Sequence, residues 1–227
     1  MLDQIAVVTG ASSGLGTAMV EYLLEREYKV YGFSRSGLNL DHPLYTDVQG
    51  DIRDENSVEE FFQLIEDEVG AVHLLVNNAG ICEMDDLGET SVKMFMNTLE
   101  TNTLGPFLML KHLESLLVEG ESHIINILST AAEHAYPNVS AYCASKYGMR
   151  GLLEVCQKEW KKYNVRFSNI LPGAIDTPLW DKMKVQFARQ KMLNIEDFMH
   201  VFQMVVESPR HIQFPEIVLL HKDGFLE

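Results

Sequence analysis

The stretch Gln4-Ile5-Ala6-Val7-Val8-Thr9-Gly10-Ala11-Ser12-Ser13-Gly14-Leu15-Gly16 decides how this chain is read. The run from Gln4 to Thr9 has the composition of a buried strand, and Ala18-Met19-Val20-Glu21-Tyr22-Leu23-Leu24 that of a helix body. Glycines between the two permit a tight turn and a close approach of backbone to ligand. A helix N-terminus supplies free N–H donors, so Gly10, Ser12, Ser13, Gly14, Leu15 and Gly16 are candidates to hold a pyrophosphate. The pattern is G-x-x-x-G-x-G rather than G-x-G-x-x-G. Its weight comes from its place between a strand and a helix at the start of a domain.

Outward from this opening, strand-like and helix-like segments alternate, which predicts an α/β fold. Strands are expected near residues 4–9, 29–34, 45–50, 72–77, 122–128, 165–171 and 216–220. Helices are expected near 14–26, 56–69, 90–118 with a break close to Asn102, 140–162 and 194–207. Right-handed crossovers then give a doubly wound parallel sheet of about seven strands with helices on both faces. Only 12 residues separate Arg35 from Val48, so the helix between the second and third strands is expected to be short or missing. The chain shows no internal repeat or linker, and residues 1–227 are expected to form one domain.

Four polar residues follow in order: Asn102, Ser129, Tyr142 and Lys146. Tyr142 and Lys146 stand four apart, so on a helix they share one face. A free phenol titrates near pH ~10, too high for general base work near neutrality. A neighbouring ammonium favours the phenolate, and so does an oxidised nicotinamide ring. Among eight Tyr, only Tyr142 has a Lys four residues on. An exposed helical Tyr with a Lys one turn away is the plainer reading. Ser129 ends the apolar run His123-Ile124-Ile125-Asn126-Ile127-Leu128, which reads as a buried parallel strand. A hydroxyl there opens onto the ligand crevice of such a sheet, or else caps a turn. Asn102 precedes Thr103-Leu104-Gly105, where a buried amide would brace a helix kink.

These pieces together resemble the short-chain dehydrogenase/reductase family, in its smaller single-domain branch. The resemblance rests on Thr9-Gly10-(x)3-Gly14-x-Gly16, Asp51-Ile52, Asn77-Asn78-Ala79-Gly80, Asn102, Ser129, Tyr142-(x)3-Lys146 and Pro172-Gly173-Ala174-Ile175-Asp176-Thr177. They occur in family order from residue 4 to about residue 180. The resemblance implies a Rossmann-like fold, NAD(P) binding and interconversion of an alcohol and a carbonyl. Tyr142 would then be the proton donor or acceptor, and Ser129 would orient and stabilise the substrate oxygen. Lys146 would lower the Tyr142 pKa and hold the nicotinamide ribose, and Asn102 would anchor a water relay behind it. Asp51, Ile52, Asn78, Ala79, Gly80, Pro172, Gly173, Ile175 and Thr177 would complete the cofactor site. A substrate lid would cover about 178–193, with Glu133, His134, Tyr136, Trp180 and Met183 lining the substrate pocket.

Cofactor choice turns on Tyr31-Gly32-Phe33-Ser34-Arg35-Ser36. A site that prefers NAD places a carboxylate at the end of the second strand, and that group would repel a 2′-phosphate. Here Ser34 stands in its place and Arg35 follows, a fork suited to a phosphate dianion. A solvated loop arginine is the alternative. NADP(H) is therefore the expected cofactor and NAD(H) the second choice. Relatives that use NADP often carry a further basic residue in the glycine loop, but Ser13 precedes Gly14 here. Lys182, Lys184, Arg189 and Lys191 gather positive charge in the lid, for an anionic substrate or simply as a solvated face. Leu179, Met183 and Phe187 recur at helical spacing there, as a pocket cap or a core-facing stripe.

The expected function is an NADPH-dependent carbonyl reductase or alcohol dehydrogenase. The runner-up is a 3-oxoacyl carrier-protein reductase, although the tail Glu216–Glu227 lacks the paired glycines common in those reductases. A reading from another class is a redox sensor that binds NADP(H) without turnover, but such proteins often lose the Tyr or Lys present here. A net charge of −15 disfavours nucleic acid or an anionic membrane as partner. Cys82, Cys143 and Cys156 are odd in number and lack metal-ligand spacing, and the eight His are scattered; reduced thiols and no metal are expected. Met1-Leu2-Asp3-Gln4 leads straight into the first strand, so a cytoplasmic protein without a signal peptide is expected. No apolar run approaches membrane-spanning length. Tyr147, Leu152, Val155 and Trp160 add apolar surface to the helix of Tyr142, which predicts a homodimer or homotetramer.

Overall fold

The computed structural model describes residues 4–182 and 189–224. Seven strands form one parallel sheet in the order β3-β2-β1-β4-β5-β6-β7. They are β1 Ile5–Thr9, β2 Lys29–Ser34, β3 Tyr45–Gln49, β4 Leu74–Asn77, β5 His123–Ile127, β6 Arg166–Pro172 and β7 Glu216–Leu219. The helices are α1 Leu15–Glu25, α2 Glu55–Glu68, α3 Val92–Leu99, α4 Gly105–Leu113, α5 Ser140–Glu159 and α6 Ile195–Val206. The expected Rossmann-like α/β fold is present, and every expected strand and helix has its counterpart.

β1 is buried along its whole length and pairs with β2 on one side and β4 on the other. The strand order reverses there, which opens a crevice beyond the carboxyl ends of β1 and β4. Each sheet face has its own core. One packs Phe61, Leu108, Met109, Met149 and Leu153 from α2, α4 and α5. The other packs Met19, Leu23, Phe198 and Phe202 from α1 and α6. As expected, no helix joins β2 to β3. Instead Leu38, Leu40 and Leu44 lean on the second core, and the Asp47 carboxylate accepts hydrogen bonds from the Leu38 N–H and the Tyr45 hydroxyl.

The 90–118 helix breaks close to Asn102, as expected, and the break is a π-turn. After α3, residues Glu100–Leu104 form a π-turn, α4 follows, and Glu114–Leu116 close in a 3-10 turn. Pro106 lies in the first turn of α4 and has no N–H for the Asn102 carbonyl, so the ladder cannot pass it in α register. The extra residue in that turn carries Asn102 fully inside.

Three buried asparagines lie in register across β4, β5 and β6. Asn77 donates to Asn126 at 2.9 Å, and Asn126 donates to Asn169 at 2.9 Å. The two bonds link the three amides across the sheet interior, while Asn77 Oδ1 at the end of the row has no partner among the described residues.

Candidate active site

A cleft of about 1520 Å3 crosses the carboxyl ends of β1, β2, β4, β5 and β6. At one end lies the turn between β1 and α1. Gly10 and Gly14 have φ of 66° and 57°, where a side chain would be strained. No side chain caps α1, and within the turn the Gly16 N–H donates to Ser13 O at 3.2 Å. Gly16 does not line the cleft as expected. A Cβ there would lie 2.0 Å from the Gly10 carbonyl oxygen, so this glycine lets α1 pack beneath the loop.

The Thr9 hydroxyl fixes the loop against the segment after β4. It donates to Val76 O and accepts from the N–H groups of Asn78 and Ala79. The Asn78 amide in turn donates to the carbonyls of Thr9 and Gly10.

Beyond β2, Ser12 and Ser36 hydroxyls meet at 3.0 Å, beside an exposed Arg35. Ser34 Oγ is buried without a hydrogen-bond partner among the described residues. Asp51 is held below its ordinary pKa, first by hydrogen bonds from Arg53 and with a smaller contribution from Arg35. Arg53 grips Asp51 and also donates to Asn97 Oδ1 at 2.5 Å.

At the other end α5 presents Tyr142 and Lys146 toward Ser129. Lys146 is 4% exposed, and its ammonium donates to Ile127 O at 2.9 Å. Among the described residues that is its one acceptor, leaving two of three hydrogens for other partners. Burial lowers its pKa to about 8. Burial pushes the Tyr142 phenol above its ordinary value, Cys82 adds to this, and Ser129 pulls it back by hydrogen bonding. Lys146 is not among those causes; its ammonium lies 5.7 Å from the Tyr142 ring centroid. The expected Lys146-driven drop in the Tyr142 pKa is thus not produced by protein groups alone. Ser129 Oγ also accepts from Ala131 N at 3.1 Å, so it caps a turn as well as facing the cleft.

Asn102 lies behind the cleft, not in its wall. Its amide accepts from Ile81 N at 2.9 Å and donates to Ile81 O and to Ser145 Oγ. This ties the Gly80–Ile81 segment to α5 one residue before Lys146. Both the kink-bracing reading and the expected place behind Lys146 fit this geometry.

The remaining expected cofactor residues, from Gly10 to Leu15, Ser34 to Ile52, Asn78 to Gly80 and Pro172 to Thr177, line the cleft as named. So do His134, Tyr136 and Trp180. Glu133 does not: its carboxylate turns to His134 Nε2 at 3.5 Å, outside the wall. Met183, with Lys184 and Phe187, lies outside the described residues. Arg189 is committed to Asp176 and Asp181, which removes it from the positive charge expected for an anionic substrate. Lys191 remains in the wall. Thr9, Arg53, Asn97, Cys82 and Ser145 were not singled out. Only Thr9 had a signal, its place directly before Gly10.

A family model described as short chain dehydrogenase matches residues 4–187. This chain belongs to that family. It is an NAD(P)-dependent oxidoreductase acting on CH–OH groups. A sepiapterin reductase from Chlorobaculum tepidum is 29% identical, covering 100% of this chain and 99% of its own. An alcohol dehydrogenase from Thermococcus sibiricus, solved with 5-hydroxy-NADP, superposes with a TM-score of 0.86 at 25% identity and 99% coverage of both chains. A 4-hydroxyisoleucine dehydrogenase solved with NADH gives a TM-score of 0.83 at 25% identity, over 98% of this chain and 100% of that one. Among the described residues, no helix of this short-chain dehydrogenase is long and apolar enough to cross a membrane.

Lys146 makes a testable demand on stability. Its folded pKa of about 8 lies below the ordinary 10.5, so the unfolded chain binds more protons between these values. Stability therefore rises with pH across that window, and the cost of the buried charge is fully present below it. Lys146→Met should melt several degrees above wild type at neutral pH, without added nucleotide. That gap should close as pH approaches 10.5. Calorimetry of both proteins reads it, and a wild type that melts higher at neutral pH would refute the burial cost.

Proposed function

We propose that this enzyme is an NADPH-dependent carbonyl reductase that also runs in reverse as an alcohol dehydrogenase. The observation that carries this reading is one cleft with two chemically distinct ends. Tyr142, Ser129 and Lys146 stand at one end. At the other, Arg35 is exposed beside the orphaned Ser34 hydroxyl, with no acid at the end of β2.

The residues fit a dinucleotide phosphate. The uncapped start of α1 and the turn at Gly10 and Gly14 suit its pyrophosphate. Lys146 has hydrogens to spare for a ribose, and Arg35 with Ser34 suits a 2′-phosphate. Asp51 and Ile52 would hold the adenine side; Asn78, Ala79, Gly80, Pro172, Gly173, Ile175 and Thr177 would frame the nicotinamide side. The Thermococcus sibiricus neighbour with 5-hydroxy-NADP supports the phosphorylated cofactor, and the neighbour with NADH keeps NAD(H) as the second choice.

When bound, the nicotinamide supplies or accepts the hydride. Ser129 and Tyr142 hydrogen-bond the substrate oxygen and hold its carbon in line. As that carbon is reduced, Tyr142 transfers its phenolic proton to the oxygen, and Lys146 stabilises the phenolate left behind. Burial keeps Tyr142 protonated beforehand, which suits a donor in the reductive direction. Asn102 positions Lys146 through Ser145 and the Gly80–Ile81 segment. The lid expected over 178–193 lies partly outside the described residues; within the described part Trp180 donates to Ile175 O at 2.7 Å, and His134 and Tyr136 line the cleft beside it. The full-length sepiapterin reductase relative supports the reductase reading. The carrier-protein reductase reading gains nothing from Arg189, whose charge is neutralised by Asp176 and Asp181. The enzyme acts as a homo-oligomer, supported by Tyr147 and Val155 on α5 and by Phe107 on α4 with Leu104 just before it, which stay exposed; Leu152 and Trp160, expected at the same surface, pack on the core instead.

Tyr142→Phe should lower turnover by several orders of magnitude with NADPH affinity near wild type, because the ring remains and the proton does not. A ketone panel followed by NADPH absorbance checks this; near-normal turnover would remove Tyr142 from the mechanism. Arg35→Ala should weaken NADPH binding by about 1.5–3 kcal/mol, roughly ten- to a hundredfold, and leave NADH binding nearly unchanged. Titration of both cofactors at fixed ionic strength decides it, and equal losses would make Arg35 a loop support. Light scattering at micromolar protein should return a multiple of the monomer mass, and a monomer would end the oligomer proposal.

A further inference from the structure

The amino ends of the strands, opposite the cleft, hold a second polar hollow of about 150 Å3. It is too small for a cofactor and large enough for a few waters or one small ion. Its wall includes Tyr28, His73, Glu121, His123, Arg166 and Arg210.

Donors dominate this wall. Arg166 is partly buried at the start of β6, and among the described residues its hydrogen-bond acceptors are all neutral: Ser208 O, Ser208 Oγ and Ile212 O, at 3.2–3.4 Å. Its hydrogen bonds are met on one side while its charge is not. Arg210 stands near enough to help lower the Arg166 pKa, after burial. Arg210 pairs with Glu121 at 3.0 Å, the only carboxylate in the wall among the described residues. Two guanidinium groups therefore share one acid, and a positive charge is left over in a partly desolvated hollow.

The histidines add a donor of fixed direction. Ile5 N donates to His73 Nδ1 at 3.2 Å, so the proton of the neutral ring sits on Nε2. Burial lowers the His73 pKa and holds it in that neutral form. His123 is spent on Ser168 Oγ at 3.0 Å, and burial carries its pKa down to about 3. Tyr28 lines the same hollow, and Arg166 and Arg210 both act to lower its pKa against the effect of burial.

We infer that this hollow is a binding site for a small free oxyanion of the phosphate class, held by Arg166 and Arg210 with His73 and Tyr28 as neutral donors. An anion there supplies the charge that Glu121 alone does not. It would join the starts of β4, β5 and β6 to the segment after α6, the part of the sheet most distant from the cleft. The site is stabilising and takes no part in hydride transfer.

The test uses NADPH-saturated protein, so that phosphate cannot respond through the cofactor cleft. Thermal melting is followed against inorganic phosphate, with potassium chloride at matched ionic strength as reference. Wild type should gain a saturable rise in Tm beyond chloride. Arg166→Gln and Arg210→Gln should each weaken the apparent phosphate affinity about tenfold or more. Glu121→Gln should strengthen it several-fold, an effect that a merely structural ion pair would not produce. Arg210 is exposed, so its variant carries the test even if Arg166→Gln fails to fold. No rise beyond chloride, or an unchanged response in the folded arginine variants, would overturn the site.

Discussion

The structure hinges on the Thr9 hydroxyl. It receives two backbone N–H groups from the segment after β4 and gives its own hydrogen to β4. Through it, the turn that starts α1 and the loop that follows β4 become one rigid floor. Gly16 has the complementary role, since any side chain there would drive α1 off the Gly10 carbonyl. The position of α1's free N–H groups, the line of β1 and the opening of the crevice all follow from this join. A phosphate-binding turn made of small residues has little stiffness of its own. Here the stiffness comes from a buried hydroxyl and one amide, Asn78, that bonds across to both carbonyls.

The opposite end of the cleft depends on a buried charge. Lys146 holds an ammonium with one protein acceptor in the interior, a costly arrangement that a purely structural helix would avoid. The surrounding chain over-determines its place. Asn102 locks Ser145, Thr103 donates to the Ser145 carbonyl, and the π-turn before Pro106 puts both on the inner side. Asn77, Asn126 and Asn169 pin the strands beneath in register. The cost in stability and the readiness to donate to a ribose have one origin, an ammonium with unmet hydrogens.

Much of this was legible in the sequence, for definite reasons. The fold could be read because apolar strands such as β1, β4 and β5 alternate with helices, and a parallel sheet leaves little choice of connection. Tyr142 and Lys146 could be read because four-residue spacing on a helix is a geometric statement. Gly16 and Asn102 were expected at the site; in the structure Gly16 lets α1 pack beneath the loop and Asn102 braces Ile81 and Ser145, and only coordinates separate such duties from lining a wall. Glu133 looked like pocket and proved to be a partner for His134. Arg53 and Asn97 meet across 44 residues, a contact that no local pattern encodes. For the lid's basic residues the sequence left two readings open, an anionic substrate or a solvated face, because charge counts do not show that Arg189 already has two carboxylates.

One tension remains between charge and ligand, and its resolution is local. The chain carries a net −15, yet its family binds a dinucleotide that is itself a polyanion. At physiological ionic strength the field of distant carboxylates is screened over about 8 Å, so the balance is struck by groups in contact. Within the cleft those groups are dipolar or positive at intervals: the start of α1, Arg35 and Lys146. The acids that do line it are partly restrained. Asp51 is gripped by Arg53, and Glu83 accepts from Asn97 at 3.4 Å. The acidic exterior therefore serves solubility and slows the approach of anions, while the cleft reverses the sign over a few ångströms. In such a protein cofactor affinity should depend on salt less through long-range steering than through the few cations in the wall.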